Sequence, residues 1–179
     1  MRTDRLILRR WRKSDDESLF RYAADPEVGT NAGWPPHKSL EESREVIDTL
    51  FNNDQTWAVA LKDSDEAIGC IGYLLPGSSH MPMGEDEVEV GYWIGKPYWN
   101  QGLCSEALRA LVNFCFDEKR CSAIWGCHFV DNPASGRVME KCGFGETCCP
   151  NLQEDDGRPM RVMRIDNPEY KIKSNADKY

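Results

Sequence analysis

The residues with the clearest chemical potential lie at positions 97–106, where PYWNQGLCSE joins a strand-like segment to a helix-like one. Backbone N–H groups in the first turn of a helix lack partners within the helix and lie at the positive end of its dipole, so they bind anions. Gly102 allows close approach of the backbone, and the small Cys104 and Ser105 keep the entrance open. The segment predicts a phosphate site built from backbone, with a plain strand-to-helix connection as the alternative.

Two carboxylates lie on a second segment, residues 87–94, EVEVGYWI. Apolar residues alternate there with Glu87, Glu89, Gly91 and Trp93, which indicates a strand. Glu87 and Glu89 then point to the same side, and either could accept a proton from a nucleophile. The alternative is a pair of solvated carboxylates on an exposed face.

The strands that must position these residues follow from alternation and turn signals. They are predicted at residues 5–11, 56–61, 67–74, 87–94 and 123–130, with a final hairpin within 144–165 around the turn 154–157. The polar run 62–66 indicates an antiparallel hairpin, whereas a helix between the strands at 87–94 and 123–130 implies a parallel pair. The fold class predicted is a mixed α/β sheet with flanking helices.

The helices follow from capping signals and apolar spacing. They are predicted at residues 19–24 after a capping box at 14–17, at 39–53 after Ser39 and Glu42, at about 104–118, and at 133–142 between Asn132 and Gly143. Asp25 and Pro26 are interpreted as the end of the first helix, and residues 29–37 as an irregular loop.

Composition bounds the class of protein. The 179 residues carry 22 Lys+Arg and 30 Asp+Glu, a net charge of −8, and 40% are hydrophobic. A globular chain is expected, and bulk positive charge for gripping nucleic acid or a membrane surface is excluded. We predict one domain over residues 1–179, with a core at about 3–165 and a tail at 166–179. The longest uncharged strand-like run is far short of the roughly 18 to 20 residues that span a bilayer, and no apolar targeting segment is evident, so we expect a cytoplasmic protein.

The eight cysteines and three histidines do not indicate a metal site. No Cys-x-x-Cys motif occurs, and His37, His80 and His128 are isolated in sequence. We therefore expect reduced thiols and no metal.

Two motifs taken together resemble the acyl-CoA motifs of the GNAT superfamily of N-acetyltransferases. They are Trp99-Asn-Gln-Gly102-Leu-Cys104-Ser-Glu106-Ala and Asn132-x-x-Ser135-x-x-Val-Met-Glu-Lys141-x-Gly143-Phe144. The opening Thr3-Asp-Arg-Leu-Ile-Leu-Arg9 and the segment Val90-Gly-Tyr-Trp-Ile94 are similar to its Rim-type branch, which contains the ribosomal-protein N-terminal acetyltransferases. The similarity runs in order over residues 3–165. It implies splayed central parallel strands and acetyl-CoA as cosubstrate.

The resemblance also implies positions for the cosubstrate. The pyrophosphate would lie on the loop, and pantetheine would add beside the strand at 87–94. Asn132 would bond the pantetheine arm, and Lys141 or Arg137 would supply charge near a CoA phosphate. The implied cofactor-binding residues are Trp93, Ile94, Asn100, Gln101, Gly102, Leu103, Cys104, Ser105, Asn132 and Lys141.

The sequence departs from the superfamily pattern at three positions. Trp99 replaces the usual Gln or Arg that begins the loop motif, and Cys104 replaces the Gly or Ala that ends it. Many members also place a tyrosine, as general acid, where this chain has Met139, which cannot donate a proton. The Rim-type branch keeps a serine one turn earlier, so Ser135 is the candidate acid, with a serine that only caps the helix as the alternative.

The expected reaction is direct attack of a neutral amine on the thioester, with Glu89 or Glu87 as base. The loop between the first two predicted helices should line the acceptor pocket, which selects Asn31, Trp34 and His37; Trp34 could instead cover the core. A protein N-terminal α-amine and a small amine such as a polyamine or aminoglycoside remain open as acceptors. A non-catalytic CoA-binding module is the rival hypothesis. The sequence also leaves open whether the chain forms a homodimer.

Overall fold

A computed structural model describes residues 1–79, 81–147, 152–153 and 157–170. The strands are β1 (Leu6–Arg9), β2 (Thr56–Leu61), β3 (Ala67–Leu74), β4 (Glu87–Ile94), β5 (Ala123–Phe129), β6 (Gly145–Glu146), β7 (Leu152–Gln153) and β8 (Pro159–Asp166). The α-helices are α1 (Asp16–Ala23), α2 (Pro26–Ala32), α3 (Leu40–Thr49), α4 (Leu103–Asp117) and α5 (Pro133–Glu140). These elements confirm the predicted mixed α/β class.

The chain divides into two compact units. The first comprises Met1–Gly72 with Tyr92–Ala110, and the second comprises Tyr73–Gly91 with Leu111–Tyr179. The single domain over residues 1–179 stays a prediction.

In the first unit, β1 pairs with β2, and β2 pairs with β3, both antiparallel. The hairpin of β2 and β3 has the bounds that the sequence predicts, because apolar strands flank the polar turn at residues 62–66. The first strand is shorter than predicted and ends at Arg9. A core of Trp11, Leu19, Ile47, Ala58 and Cys70 packs between these strands and helices, with Trp34 and Trp93 partly buried against it.

In the second unit, β4 and β5 form the predicted parallel pair. Glu87, Val88 and Glu89 lie opposite Ala123, Ile124 and Trp125. Within the described residues this pairing ends at Glu89, although β5 continues to Phe129. β5 also pairs antiparallel with β8, which in turn pairs with β6 and β7. The predicted parallel pairing of the central strands is confirmed, their splay stays a prediction, and the predicted turn at residues 154–156 lies outside the described residues.

The predicted helix starts are confirmed where a side chain caps the first turn, although α3 ends at Thr49 and not at residue 53. Ser39 accepts a hydrogen bond from the Glu42 N–H at 3.2 Å at the start of α3, and Asn132 caps α5 with Pro133 in its first position. α4 buries Ala107, Leu108, Leu111 and Cys115, the stripe expected from their spacing.

The first helix ends before Asp25 and Pro26, as predicted, since α1 stops at Ala23. The same two residues also begin α2, a helix that the sequence did not predict, because the Asp25 carboxylate accepts a hydrogen bond from the Glu27 N–H at 2.9 Å. Part of the predicted loop at residues 29–37 is therefore helical, as far as Ala32.

The start of α1 also differs from the prediction. No side chain caps it, and a 3-10 turn at Lys13–Asp15 precedes it. Arg9 binds both carboxylate oxygens of Asp15, at 2.7 and 2.8 Å, so this ion pair holds the turn in place of the predicted Ser14 cap.

The cysteines of the described residues are free thiols, as expected: Cys70, Cys104, Cys115, Cys121, Cys127 and Cys142. Cys148 and Cys149 lie outside the described residues. Within the described ranges, no helix is both long enough and apolar enough to cross a membrane.

Candidate active site

The loop between β4 and α4 is held by its own side chains. The Trp99 indole Nε1 donates to the Ile94 carbonyl at 2.6 Å, and Gln101 Nε2 donates to the Pro97 carbonyl at 2.9 Å. The tryptophan that departs from the family motif therefore ties the loop back to the end of β4. Each bond joins a loop side chain to backbone nearby, so these two bonds stabilise the loop from within.

The backbone of this loop bends at two residues. Asn100 and Gly102 have φ values of 60° and 76°, a left-handed conformation that asparagine tolerates and glycine adopts without steric cost. α4 begins at Leu103, and the Glu106 N–H donates to the Gly102 carbonyl at 3.0 Å as the first turn closes. Gln101 and Gly102 are exposed, so an anion has access to the positive end of this helix.

Glu87 is buried and fully engaged within the second unit. Its Oε1 binds Arg164 Nη2 at 2.9 Å. Its Oε2 accepts from the Trp125 indole at 2.8 Å and from the Gly84 N–H at 2.9 Å. With a cation on one oxygen and two N–H donors on the other, this carboxylate is a structural anchor for the start of β4.

Glu89 lies two residues further along β4 in a different environment. Ser79 Oγ donates to its Oε2 at 2.5 Å, and the Cys127 thiol donates to its Oε1 at 3.5 Å. The carboxylate is half-buried, and its recorded partners are neutral. Trp125 and Cys127 are two residues apart on β5 and therefore share a face, so their contacts with Glu87 and Glu89 agree with two carboxylates on one face of β4.

Ser135 lies in the first turn of α5, three residues after the cap. Asn132 Oδ1 accepts from the Ser135 N–H at 3.3 Å, so Asn132 is the capping side chain. The helix approaches β5 closely at Gly136, where a Cβ would lie 2.7 Å from His128 Nε2. Only glycine permits that approach, so His128 and Gly136 set the distance between the helix and the strand.

Three aromatic side chains of the first unit form a cluster. The Trp34 ring lies 5.6 Å from the His37 ring and 5.7 Å from the Trp93 ring. His37 Nδ1 is 2.8 Å from Ser43 Oγ, and burial lowers the pKa of His37. The imidazole is therefore neutral at pH 7.

The candidate residues fall into one set in each unit. The first unit holds Asn31, Trp34, His37, Trp93, Ile94, Asn100, Gln101, Gly102, Leu103, Cys104 and Ser105, and the second holds Glu87, Glu89, Asn132, Ser135 and Lys141. Asn31 lies on α2, not in the predicted loop, and is exposed. Lys141 is exposed at the end of α5.

Sequence reasoning missed Ser79 and Cys127 as partners of Glu89. Ser79 lies in an irregular segment after β3, where no periodicity predicts which side chain reaches the strand. Cys127 could have been found, because strand alternation places it one pair beyond Trp125 on the same face of β5.

Comparison with known proteins identifies the family. A family model described as the acetyltransferase (GNAT) domain matches residues 5–145. An N-acetyltransferase of Bacillus subtilis, the uncharacterized YoaA, is 32% identical over 149 residues, which cover 80% of this chain and 81% of the relative. The chain therefore belongs to the GNAT family and is an acetyl-CoA-dependent N-acetyltransferase.

Two further comparisons are informative. The L-amino acid N-acetyltransferase AaaT of Escherichia coli is 24% identical over 147 residues, covering 78% of this chain and 82% of that protein. The crystal structure of a GNAT-family acetyltransferase from Bacillus anthracis has a TM-score of 0.77 and 24% identity, covering 93% of this chain and 98% of that one. The latter similarity concerns the fold.

Proposed function

We propose that this enzyme acetylates the α-amine of a protein or peptide N-terminus, as the Rim-type branch does, by direct attack of the amine on the thioester of acetyl-CoA. The observation that carries this proposal is Glu89, a half-buried carboxylate on β4 whose partners among the described residues are a hydroxyl and a thiol. Such a carboxylate can accept a proton from an ammonium group and does not have to leave an ion pair to do so.

The pKa of the acceptor favours an α-amine. Deprotonating an α-amine at pH 7 costs about 1 kcal/mol, whereas a lysine side chain costs about 5 kcal/mol. A single carboxylate, Glu89, matches an acceptor whose amine costs little free energy to deprotonate. The relative AaaT is named as an L-amino acid N-acetyltransferase, and L-amino acids carry an α-amine.

Glu89, and not Glu87, is the proposed general base. Arg164, Trp125 and Gly84 occupy both oxygens of Glu87, so protonation there would disrupt a buried ion pair. Glu89 takes the proton directly or through water, the amine nitrogen forms a bond to the acetyl carbon, and the bond from that carbon to sulfur breaks. A backbone N–H of β4 stabilises the oxyanion, and Ser135 donates its hydroxyl proton to the leaving thiolate as it takes up a proton from solvent.

The cosubstrate would bind through backbone. The residues Asn100 to Ser105 surround the exposed start of α4, which supports a pyrophosphate site there. Pantetheine would add beside β4 at Trp93 and Ile94, because the pairing of β4 with β5 ends at Glu89. Asn132 would bond the pantetheine arm, and Lys141 would meet a CoA phosphate.

The acceptor would meet the aromatic cluster of Trp34, His37 and Trp93. Since burial lowers the pKa of His37, the cluster adds no positive charge that would repel an incoming amine. Asn31, exposed on α2, would offer a polar contact to the peptide backbone.

A polyamine is a weaker candidate. A polycation requires several uncompensated carboxylates, and Arg164 neutralises Glu87, the buried carboxylate nearest to Glu89 along β4. Glu89 is then the one carboxylate of the pair that can interact with the acceptor, which matches an acceptor with one ammonium group.

Thiol release from acetyl-CoA tests the proposal. The acceptors are a peptide with a free α-amine and an internal lysine, the same peptide with a blocked N-terminus, a free amino acid, spermidine and kanamycin, each with a no-acceptor blank because the cysteines could react alone. We expect release with the free peptide, and mass spectrometry should place the acetyl group on its α-amine. Equal release with the blocked peptide, or release with spermidine or kanamycin alone, would overturn the α-amine assignment. CoA binding without release on any acceptor would support the non-catalytic module.

A further inference from the structure

An ion pair joins the N-terminal segment to the first turn of α4. The Arg5 guanidinium donates from Nε to Glu106 Oε2 at 2.7 Å, and its Nη2 lies 2.7 Å from the same oxygen. The Arg5 backbone N–H donates to Glu106 Oε1 at 2.9 Å, and Thr3 Oγ1 donates to it at 2.5 Å. Glu106 therefore has donors on both oxygens, although the Arg5 side chain remains 51% exposed.

The same guanidinium also grips the loop. Arg5 Nη1 donates to the Gln101 carbonyl at 3.0 Å, and Nη2 would lie 3.7 Å from a Cβ placed on Gly102. Among the described residues no peptide bond is cis. In a trans peptide the C=O and the following N–H point in opposite directions, so a carbonyl turned to Arg5 turns the Gly102 N–H away from it.

Charge gives Arg5 a second effect on the loop. Glu106 lies in the first turn of α4, where an uncompensated carboxylate would repel an anion at the helix start. Burial opposes ionisation of Glu106, but the hydrogen bonds from Thr3 and Arg5 outweigh it and lower the pKa of the carboxyl. The side chain is therefore charged at pH 7, and Arg5 compensates that charge.

We propose that Arg5 is a positioning residue for CoA: it aims the Gly102 N–H at the pyrophosphate and cancels the charge of Glu106 beside it. This inference rests on the proposed pyrophosphate site at residues 100–105. It distinguishes Arg5 from an ordinary surface arginine such as Arg10, whose recorded partner is the exposed Asp54.

The test compares CoA with a ligand that lacks its phosphate-bearing half. Dissociation constants for CoA and for pantetheine, which lacks the nucleotide and its phosphates, are measured for wild type, Arg5→Ala, Glu106→Gln and the double variant. Arg10→Ala is the matched control, and thermal melts verify folding. We expect Arg5→Ala to weaken CoA binding by about tenfold, the usual size of a lost charged hydrogen bond, and to change pantetheine binding by less than about twofold.

The double variant separates the role of charge from a merely structural tie. Removing the Glu106 carboxylate in the Arg5→Ala background should recover part of the CoA affinity, because no negative charge is then left beside the anion. Equal losses for CoA and pantetheine, or a double variant no tighter than Arg5→Ala, would overturn the proposal. If wild type itself binds CoA no more tightly than pantetheine, the pyrophosphate site fails, and that result is distinct from a failure of Arg5.

Discussion

The loop at residues 97–106 and the carboxylate pair of β4 differ in the groups they offer, which are backbone groups in the loop and side chains on β4. The loop presents backbone at the start of α4, and its side chains mostly tie the loop to itself. The β4 segment relies on carboxylate side chains, and the partners of Glu87 and Glu89 decide what each can do. The loop should therefore tolerate side-chain substitutions that preserve its backbone conformation. On β4, by contrast, replacing a single carboxylate oxygen by an amide NH₂, as in Glu89→Gln, should abolish most of the activity.

The two carboxylates sharpen this comparison, because they differ in neighbours and not in chemistry. They share a strand and a face, yet Glu87 is held by an arginine and an indole, and Glu89 by a hydroxyl and a thiol. An ion pair occupies Glu87, whereas the partners of Glu89 among the described residues are uncharged.

The largest effect is expected from Glu89→Gln. The amide keeps the shape of the side chain but cannot accept the proton of the amine, so kcat for the peptide acceptor should fall by about 100-fold. Steady-state thiol release at saturating acetyl-CoA measures this. A loss smaller than about threefold would remove Glu89 from the mechanism.

Gly102→Val should have the second-largest effect, and it should weaken acetyl-CoA binding and leave kcat unchanged. A β-branched residue at φ 76° is strained, so the loop would shift and KM for acetyl-CoA should rise by about tenfold. Gly145→Ala is the control, because Gly145 has no positive φ recorded and a Cβ there meets nothing within 4 Å. Equal KM values for the Gly102→Val enzyme and the wild type would contradict the backbone site.

Ser79→Ala should have a moderate effect. Without the hydroxyl at 2.5 Å, Glu89 loses a fixed orientation, and kcat should fall by about fivefold while KM for acetyl-CoA is unchanged. Ser79→Thr retains the hydroxyl and should restore most of the rate. If both variants are equally slow, Ser79 acts through packing and not through its hydrogen bond.

Glu87→Gln should have the smallest effect on turnover and a clear effect on stability. It removes the buried partner of Arg164 and leaves only the more exposed Asp166 beside the guanidinium, which should lower the free energy of unfolding by about 2 kcal/mol. Urea unfolding followed by tryptophan fluorescence measures this. A kcat loss as large as that of Glu89→Gln in folded protein would show that Glu87 shares the base function.

Much of this arrangement could be predicted from the sequence, because local signals determine it. Strict alternation fixes β4, the polar turn fixes the hairpin of β2 and β3, and Asn132 with Pro133 fixes the start of α5. Asp25 and Pro26 were predicted only as the end of α1, and the start of α2 was missed because the same pair suits both roles and the Glu27 N–H bond is visible only in the structure.

The partners of the site could not be predicted in the same way. Which of Glu87 and Glu89 is bound by Arg164 depends on strand pairing between β5 and β8, and Ser79 reaches Glu89 from an irregular segment. These are contacts between residues distant in sequence, so no local spacing encodes them. The contact of Arg5 with Glu106 is of the same kind.

The central claim is a division of labour between the loop, which binds CoA, and Glu89, which serves the chemistry. Calorimetric titration of Glu89→Gln with CoA, on the protein sample used for thiol release, tests it directly. We predict a dissociation constant within about twofold of wild type beside a rate about 100-fold lower. A loss of CoA affinity comparable to the loss of rate would contradict the claim.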